Sequence, residues 1–128
     1  MIEIDAKSML ITQTDRNGVI CAVSDEFCKI TGYHEHEIVG KTHAMFCHSD
    51  MPKIIFTSMW ETITKGQVWH GFIKSRVKNG DFFWAYLSIF PASFANADGF
   101  IAVRTHAFED EIERYETRYK KLFEKEQK

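Results

Sequence analysis

The chain has 128 residues, 45% of them hydrophobic and 27% charged, which suits one buried core and leaves no room for two domains. Its formal net charge of −2, with no basic stripe beyond the alternating Lys74, Arg76 and Lys78, argues against a nucleic-acid binder. No run approaches the roughly 18 apolar residues of a membrane-spanning helix, and the opening Met-Ile-Glu-Ile-Asp-Ala-Lys lacks a charged-then-apolar leader pattern. Cys21, Cys28 and Cys47 are an odd set without a CxxC pair. They fit reduced thiols and a cytoplasmic location, with membrane association of a longer protein left open.

Along the chain, Met9–Thr14 and Val19–Val23 are short β-type runs on either side of Asp15-Arg16-Asn17-Gly18. Asn-Gly between apolar runs is hairpin chemistry, because both residues accept positive φ. Ser24 or Asp25 then caps a short helix through Phe27, Cys28 and Ile30 that stops at Gly32, and a second short helix, His34–Val39, ends at Gly40. Residues 41–50 carry no clear period and are expected as a loop or a single helical turn. Asp50 is the expected N-cap of the next helix, with Pro52 in its first turn. Ile55, Met59 and Ile63 share one face of that helix beside Phe56 and Trp60, and Gly66 closes it. Strands 69–77 and 82–90 flank Lys78-Asn79-Gly80-Asp81. A third turn, Asn96-Ala97-Asp98-Gly99, leads into a last strand, Phe100–Thr105.

This segregated order predicts an α+β domain with an antiparallel sheet rather than a parallel βαβ fold. Alternation places Trp69, Gly71, Ile73, Ser75 and Val77 on one strand face. The next strand is apolar on both faces, with Phe83, Ala85, Leu87 and Ile89 opposite Phe82, Trp84, Tyr86 and Phe90. Such a sheet must be covered on both sides. The helices cover one, and an N-terminal helix, a neighbouring subunit or the C-terminal tail covers the other. In that tail Phe108, Ile112, Tyr115, Tyr119 and Leu122 form an a/d seam, which either docks on the domain or continues as a coiled coil. The expected segments are a lead-in over 1–8, a globular domain over 9–107 and an amphipathic linker helix over 108–128.

A helix beside an aromatic-rich hairpin makes a slot suited to a flat ligand. Trp60 and Trp69 are candidate walls, Phe56 lies next to Trp60, and Ser75 shares the strand face of Trp69. An isoalloxazine ring needs such a slot and a few polar groups at its nitrogens and carbonyls; ordinary core packing also accounts for both tryptophans. His48 precedes a helix N-terminus, where a diphosphate is favoured. A carboxylate at that place competes with an anion, so Asp50 is assigned to positioning. His34 and His36 point to different sides of their helix, while His43, Cys47 and His48 offer three metal ligands and no fourth. No GxGxxG, P-loop, GxSxG or HExxH is present, and an enzyme is not expected.

Taken in order, Ile30-Thr31-Gly32-Tyr33, His48-x-Asp50-Met51-Pro52, Met59-Trp60, Trp69-x-Gly71, Lys78-Asn79-Gly80-Asp81 with Trp84, and Arg104-Thr105 resemble a PAS domain. The likeness is greatest to the FAD-binding PAS domains of aerotaxis, or energy-taxis, receptors and runs from about Thr14 to the start of the last helix. It implies a five-stranded antiparallel sheet with helices packed on one face around a cofactor pocket, making 9–107 a PAS sensor domain. It also implies FAD held non-covalently and a redox or oxygen signal passed to a chemotaxis-type signalling domain, in cis or in trans. A homodimer through the sheet face and the terminal helices is expected alongside it. His48, Asp50, Trp60 and Trp69 match positions associated with FAD in that family. Three positions depart from it: Cys47 stands where an arginine usually precedes the histidine, and Ser24 and Ser75 stand where two asparagines are usual near the pocket. A thiol offers no fixed charge to a phosphate, whereas a serine hydroxyl can still donate or accept. His43 stands where a light sensor of the LOV type would carry its cysteine, so a cysteinyl-flavin photocycle is not expected. The alternatives are a cofactor-free interaction module, or haem held by His48 or His43. The expected signal route runs from Ser75 through the central strands to Arg104-Thr105 and the 108–122 helix.

Overall fold

The computed structural model describes residues 1–94 and 97–128. In chain order it contains β1 (Leu10–Asp15), β2 (Ile20–Val23), α1 (Asp25–Thr31), α2 (Glu35–Ile38), a 3-10 turn (His43–Phe46) and α3 (Lys53–Thr64). There follow β3 (Trp69–Arg76), β4 (Phe82–Phe94), β5 (Ala97–His106) and α4 (Glu109–Glu126). The five strands form one antiparallel sheet in the order β2-β1-β5-β4-β3. This is the expected α+β architecture, with α1 to α3 on one face of the sheet.

Local chemistry accounts for most boundaries. Ser24 caps α1, its Oγ accepting from the Phe27 N–H at 3.4 Å, and Gly32 ends that helix at φ 79°, a left-handed conformation that a side chain would strain. α3 departs from expectation. Pro52 occupies its N-cap position and no side chain of its own segment caps it. Asp50 is not the cap, because its carboxylate is turned to the Lys74 ammonium, 3.0 Å away.

Strand β4 runs past the expected residue 90, through Pro91 to Phe94. Proline is tolerated there because β3 ends its pairing at Trp69 opposite Ile89, so beyond that point β4 has β5 alone as a neighbour. Strand β5 begins at Ala97, so Ala97, Asp98 and Gly99 belong to the strand rather than to the expected turn; Asn96 lies outside the described residues.

The pairings Trp69 with Ile89, Gly71 with Leu87, Leu87 with Arg104, and Leu10 with Arg104 place these residues on one inner face. Phe27, Ile38, Phe46, Met59 and Ile63 bury that face from the helical side. The outer face at β3 and β4 is covered by α4. Tyr115 lies 4.4 Å from Phe72 and Tyr119 lies 6.0 Å from Trp84, ring centre to ring centre. The Tyr119 hydroxyl donates to the Phe72 carbonyl at 2.8 Å. The a/d seam therefore docks on its own domain. Phe108, at 58% exposed, is the one seam member left in solvent. The lead-in residues also pack: Ile4 is buried, and the His106 Nδ1–H donates to the Ile4 carbonyl at 2.7 Å.

Candidate functional site

A slot of about 300 Å³ lies between α3 and the inner sheet face. Helical periodicity sends Phe56, Met59 and Trp60 into it from α3, and strand alternation sends Ile73 and Ser75 from β3. Leu87 and Ile89 from β4, with Ala102 and Arg104 from β5, form its floor. Gly18 of the first hairpin and His43 and Cys47 around the 3-10 turn complete the lining, and the exposed lining residues Asn17, Thr42 and Ala44 mark its mouth. Trp60 stands edge-on to Phe100 at 5.9 Å. Its far edge reaches the hairpin, where a Cβ at Gly18 would lie 3.1 Å from the ring.

Arg104 dominates the electrostatics. It is 5% exposed, and none of the residues lining the slot is acidic. Nη1 donates to the Thr12 hydroxyl at 3.1 Å, Nη2 lies 3.4 Å from Nδ1 of His43, and the guanidinium stacks 4.9 Å over the Phe27 ring. Two donors are engaged out of five. Burial pushes the pKa of Arg104 down to about 10, still well above neutrality, so the slot holds a fixed cation. His43 meets the reverse constraint. Burial first, and then the neighbouring Arg104, push its pKa down to about 3. It is neutral at pH 7, with Nδ1 accepting from Arg104 and the ring proton on Nε2. Burial raises the pKa of the Cys47 thiol, so Cys47 brings no charge to the site.

Of the residues proposed from sequence, Phe56, Trp60 and Ser75 line the slot together. Trp69 shares the inner face but stays in the core, its ring laid over Gly71 so closely that a Cβ there would lie 2.7 Å from Cζ2. Ser24 is spent on structure, accepting from the Ile11 and Phe27 amides at 3.0 and 3.4 Å. His48 and Asp50 lie beyond the mouth, on the segment that follows Cys47. There the His48 ring stands edge-on to Phe82 at 5.6 Å, and its Nδ1 accepts from the Asp50 N–H at 3.1 Å. Burial and Lys74 lower the pKa of His48; the hydrogen bond from Lys74 lowers that of Asp50. Among the described residues no three His, Cys, Asp or Glu side chains converge on a metal site. Arg104 is not assigned to the slot from sequence, and His43 is read there only as a haem or metal ligand and as the counterpart of a light-sensor cysteine. The signal was present for Arg104, a cation in register with inward-facing Phe100 and Ala102 on an apolar strand face.

The PAS fold family matches residues 20–104. The aerotaxis receptor of Escherichia coli K12 is 38% identical over 114 residues, covering 88% of this chain and 22% of the receptor. A nitrogen fixation regulatory protein of Klebsiella pneumoniae is 25% identical over 88 residues, covering 69% of this chain and 18% of the regulator. The chain thus spans about a fifth of the length of these relatives. Among solved structures, the light state of the blue-light photoreceptor Aureochrome1 LOV superposes with a TM-score of 0.68 at 21% identity, covering 96% of this chain and 92% of that one. A PAS domain from Colwellia psychrerythraea also gives a TM-score of 0.68, at 19% identity, over 77% of this chain and 86% of that one. No helix among the described residues is long and apolar enough to cross a membrane. The sheet order, the helices on its inner face and the match over residues 20–104 have one explanation: this chain belongs to the PAS fold family.

Proposed function

We propose that this chain is a sensor domain that binds FAD, with the isoalloxazine ring in the slot, and reports redox state or oxygen to a chemotaxis-type signalling partner. The observation that carries it is Arg104, a buried cation in a largely apolar slot whose lining contains no carboxylate. Such a charge is costly without a counter-group, and a ligand bearing carbonyl oxygens or negative charge supplies one. The slot, at about 300 Å³, sits at the low end of ligand-site volumes and suits a flat ring rather than a whole dinucleotide. Bound flavin would supply reversible electron transfer, with charge and protonation changing at the ring.

The chain's own residues divide the work. Phe56 and Trp60 wall the ring and exclude water, and Ser75 offers a rotatable hydroxyl. Arg104 favours negative charge, and neutral His43 keeps its Nε2 proton available as a donor. His48, Asp50 and Lys74 serve the part of the dinucleotide outside the slot. Trp69 and Ser24 act at one remove: Trp69 packs over Gly71, and Ser24 holds α1, whose Phe27 lies against Arg104. The likeness to the aerotaxis receptor supports the sensory role. On this reading the domain is cytoplasmic and dimerises through the part of the sheet's outer face that α4 leaves uncovered, around Phe90 and its partner Ile101.

An absorption spectrum of purified chain, taken before and after incubation with excess FAD and again after dithionite, tests the reading. Retained flavin bands that bleach on reduction are expected. A haem spectrum, or no chromophore after incubation with FAD, would overturn it.

A further inference from the structure

The first amides of α3 lack a partner from their own segment, and exposed helix amides need one. They find it 73 residues along the chain. Glu126 Oε1 accepts from the Lys53 N–H and Oε2 from the Ile54 N–H, each at 2.9 Å. The carboxylate thus satisfies two orphan donors and lies at the positive end of the helix dipole. Glu126 is also the last residue of α4.

Helix α4 is accordingly fastened in two places of different kind. Its middle is held to the sheet by Tyr119, through the hydroxyl bond to Phe72 and the ring against Trp84. Alongside Tyr119 a cleft of about 460 Å³, bordered by Met51, Trp84, Glu116, Tyr119, Lys120 and Phe123, separates this part of the helix from the strands. Leu122 still packs against the core, and the last turn of α4 is tied to α3. Helix α3 is the element that sends Phe56, Met59 and Trp60 into the slot. Phe56 lies three residues beyond Lys53, about 4.5 Å of helical rise, too short a span to absorb a displacement before it reaches the capped amides.

We propose that Glu126 is a latch: it couples the last turns of α4 to α3, so that a shift of α3 when the slot is filled or changes charge alters how those turns are held while the Tyr119 segment stays docked. The source of the shift rests on the reading of the slot as a flavin site; the latch contact does not. A hydrogen bond of 2.9 Å that lengthens by about 0.5 Å leaves the useful range, so sub-ångström movement suffices. The signal then leaves through a helix end, and the route through Ser75 and the strands to Arg104-Thr105 is not required.

Amide hydrogen exchange on the full chain tests this. In Glu126→Ala, protection is expected to fall together at Lys53, Ile54 and residues 120–126, by roughly three- to tenfold, with residues 112–119 unchanged. Glu126→Gln, which keeps one acceptor oxygen, should fall between. Phe56→Ala disturbs the slot face of α3 without any ligand; it should lower protection at 120–126 in the wild-type background and add nothing there to Glu126→Ala. Uniform loss across α4, no loss at Lys53 and Ile54, or full additivity of the two variants would overturn the latch. Added FAD should change protection at 120–126 in the wild type and not in Glu126→Ala. If FAD does not bind, the flavin reading fails while the Phe56→Ala cycle still decides the latch. If FAD binds and residues 120–126 do not respond, the latch is refuted and the flavin reading stands.

Discussion

Acid should destabilise this fold through His43, and replacing that one ring should remove the effect. Burial and then Arg104 hold the folded-state pKa at about 3, against an ordinary value of 6.5. The sign follows from proton uptake. Below pH 6.5 the unfolded chain binds a proton that the folded chain refuses until about pH 3, so stability is intact above 6.5 and is lost as pH falls. Between pH 7 and pH 5 the unfolded state gains about 2 kcal/mol, all of it from the unfolded chain because pH 5 stays above the folded value. This is an upper figure, since the residue as a whole keeps some exposure. The assay is urea unfolding of the ligand-free chain at both pH values, for wild type and His43→Gln, whose amide oxygen can still accept from Arg104. With a slope of about 1–3 kcal/mol per molar urea, the wild-type midpoint should drop about 1 M further than that of the variant. His48, whose pKa is also lowered, contributes equally to both chains and cancels. Equal acid losses in the two would refute the buried, neutral His43.

Arg104→Met exchanges a buried cation without a carboxylate partner for an apolar chain. The relief of removing an uncompensated charge is offset by the Thr12 hydroxyl and His43 nitrogen left without their donor, so ligand-free stability should change by less than about 2 kcal/mol while flavin uptake weakens; undiminished uptake would contradict the role given to Arg104. Gly71→Ala places a methyl group against the Trp69 ring, which must move. A loss of about 1–3 kcal/mol and a shifted tryptophan emission are expected, and an unchanged emission spectrum with unchanged melting would show that the ring is not seated on Gly71.

Features set by local chemistry were legible in the sequence. Asn17-Gly18 and Asn79-Gly80 placed two hairpin turns, Ser24 and Gly32 bounded α1, and the two greasy faces of β4 called for covers on both sides, which α1 to α3 and α4 provide. Phe56, Trp60 and Ser75 followed from periodicity and meet in the slot. What escaped depends on partners distant in sequence. Asp50 had every local mark of a cap, and Lys74 drew it away. The actual cap, Glu126, reads as one more charge in a solvated tail until α4 is folded back. The strand length of β4 depended on β5 alone pairing beyond Ile89, which no residue of β4 announces.

The sheet order has a consequence for biogenesis. β1 is paired on one edge by its hairpin partner β2, but its other edge waits for β5, which brings Arg104 opposite Leu10. On a ribosome the first hairpin emerges early and stands with an open edge until nearly the whole domain has been synthesised. Such long-range pairing makes folding slow relative to local hairpin closure. The slot has no floor before β5 arrives, since Ala102 and Arg104 are part of it. On the flavin reading, uptake of the ring would therefore follow the arrival of the last strand, as a late step that a chain lacking β5 could not begin.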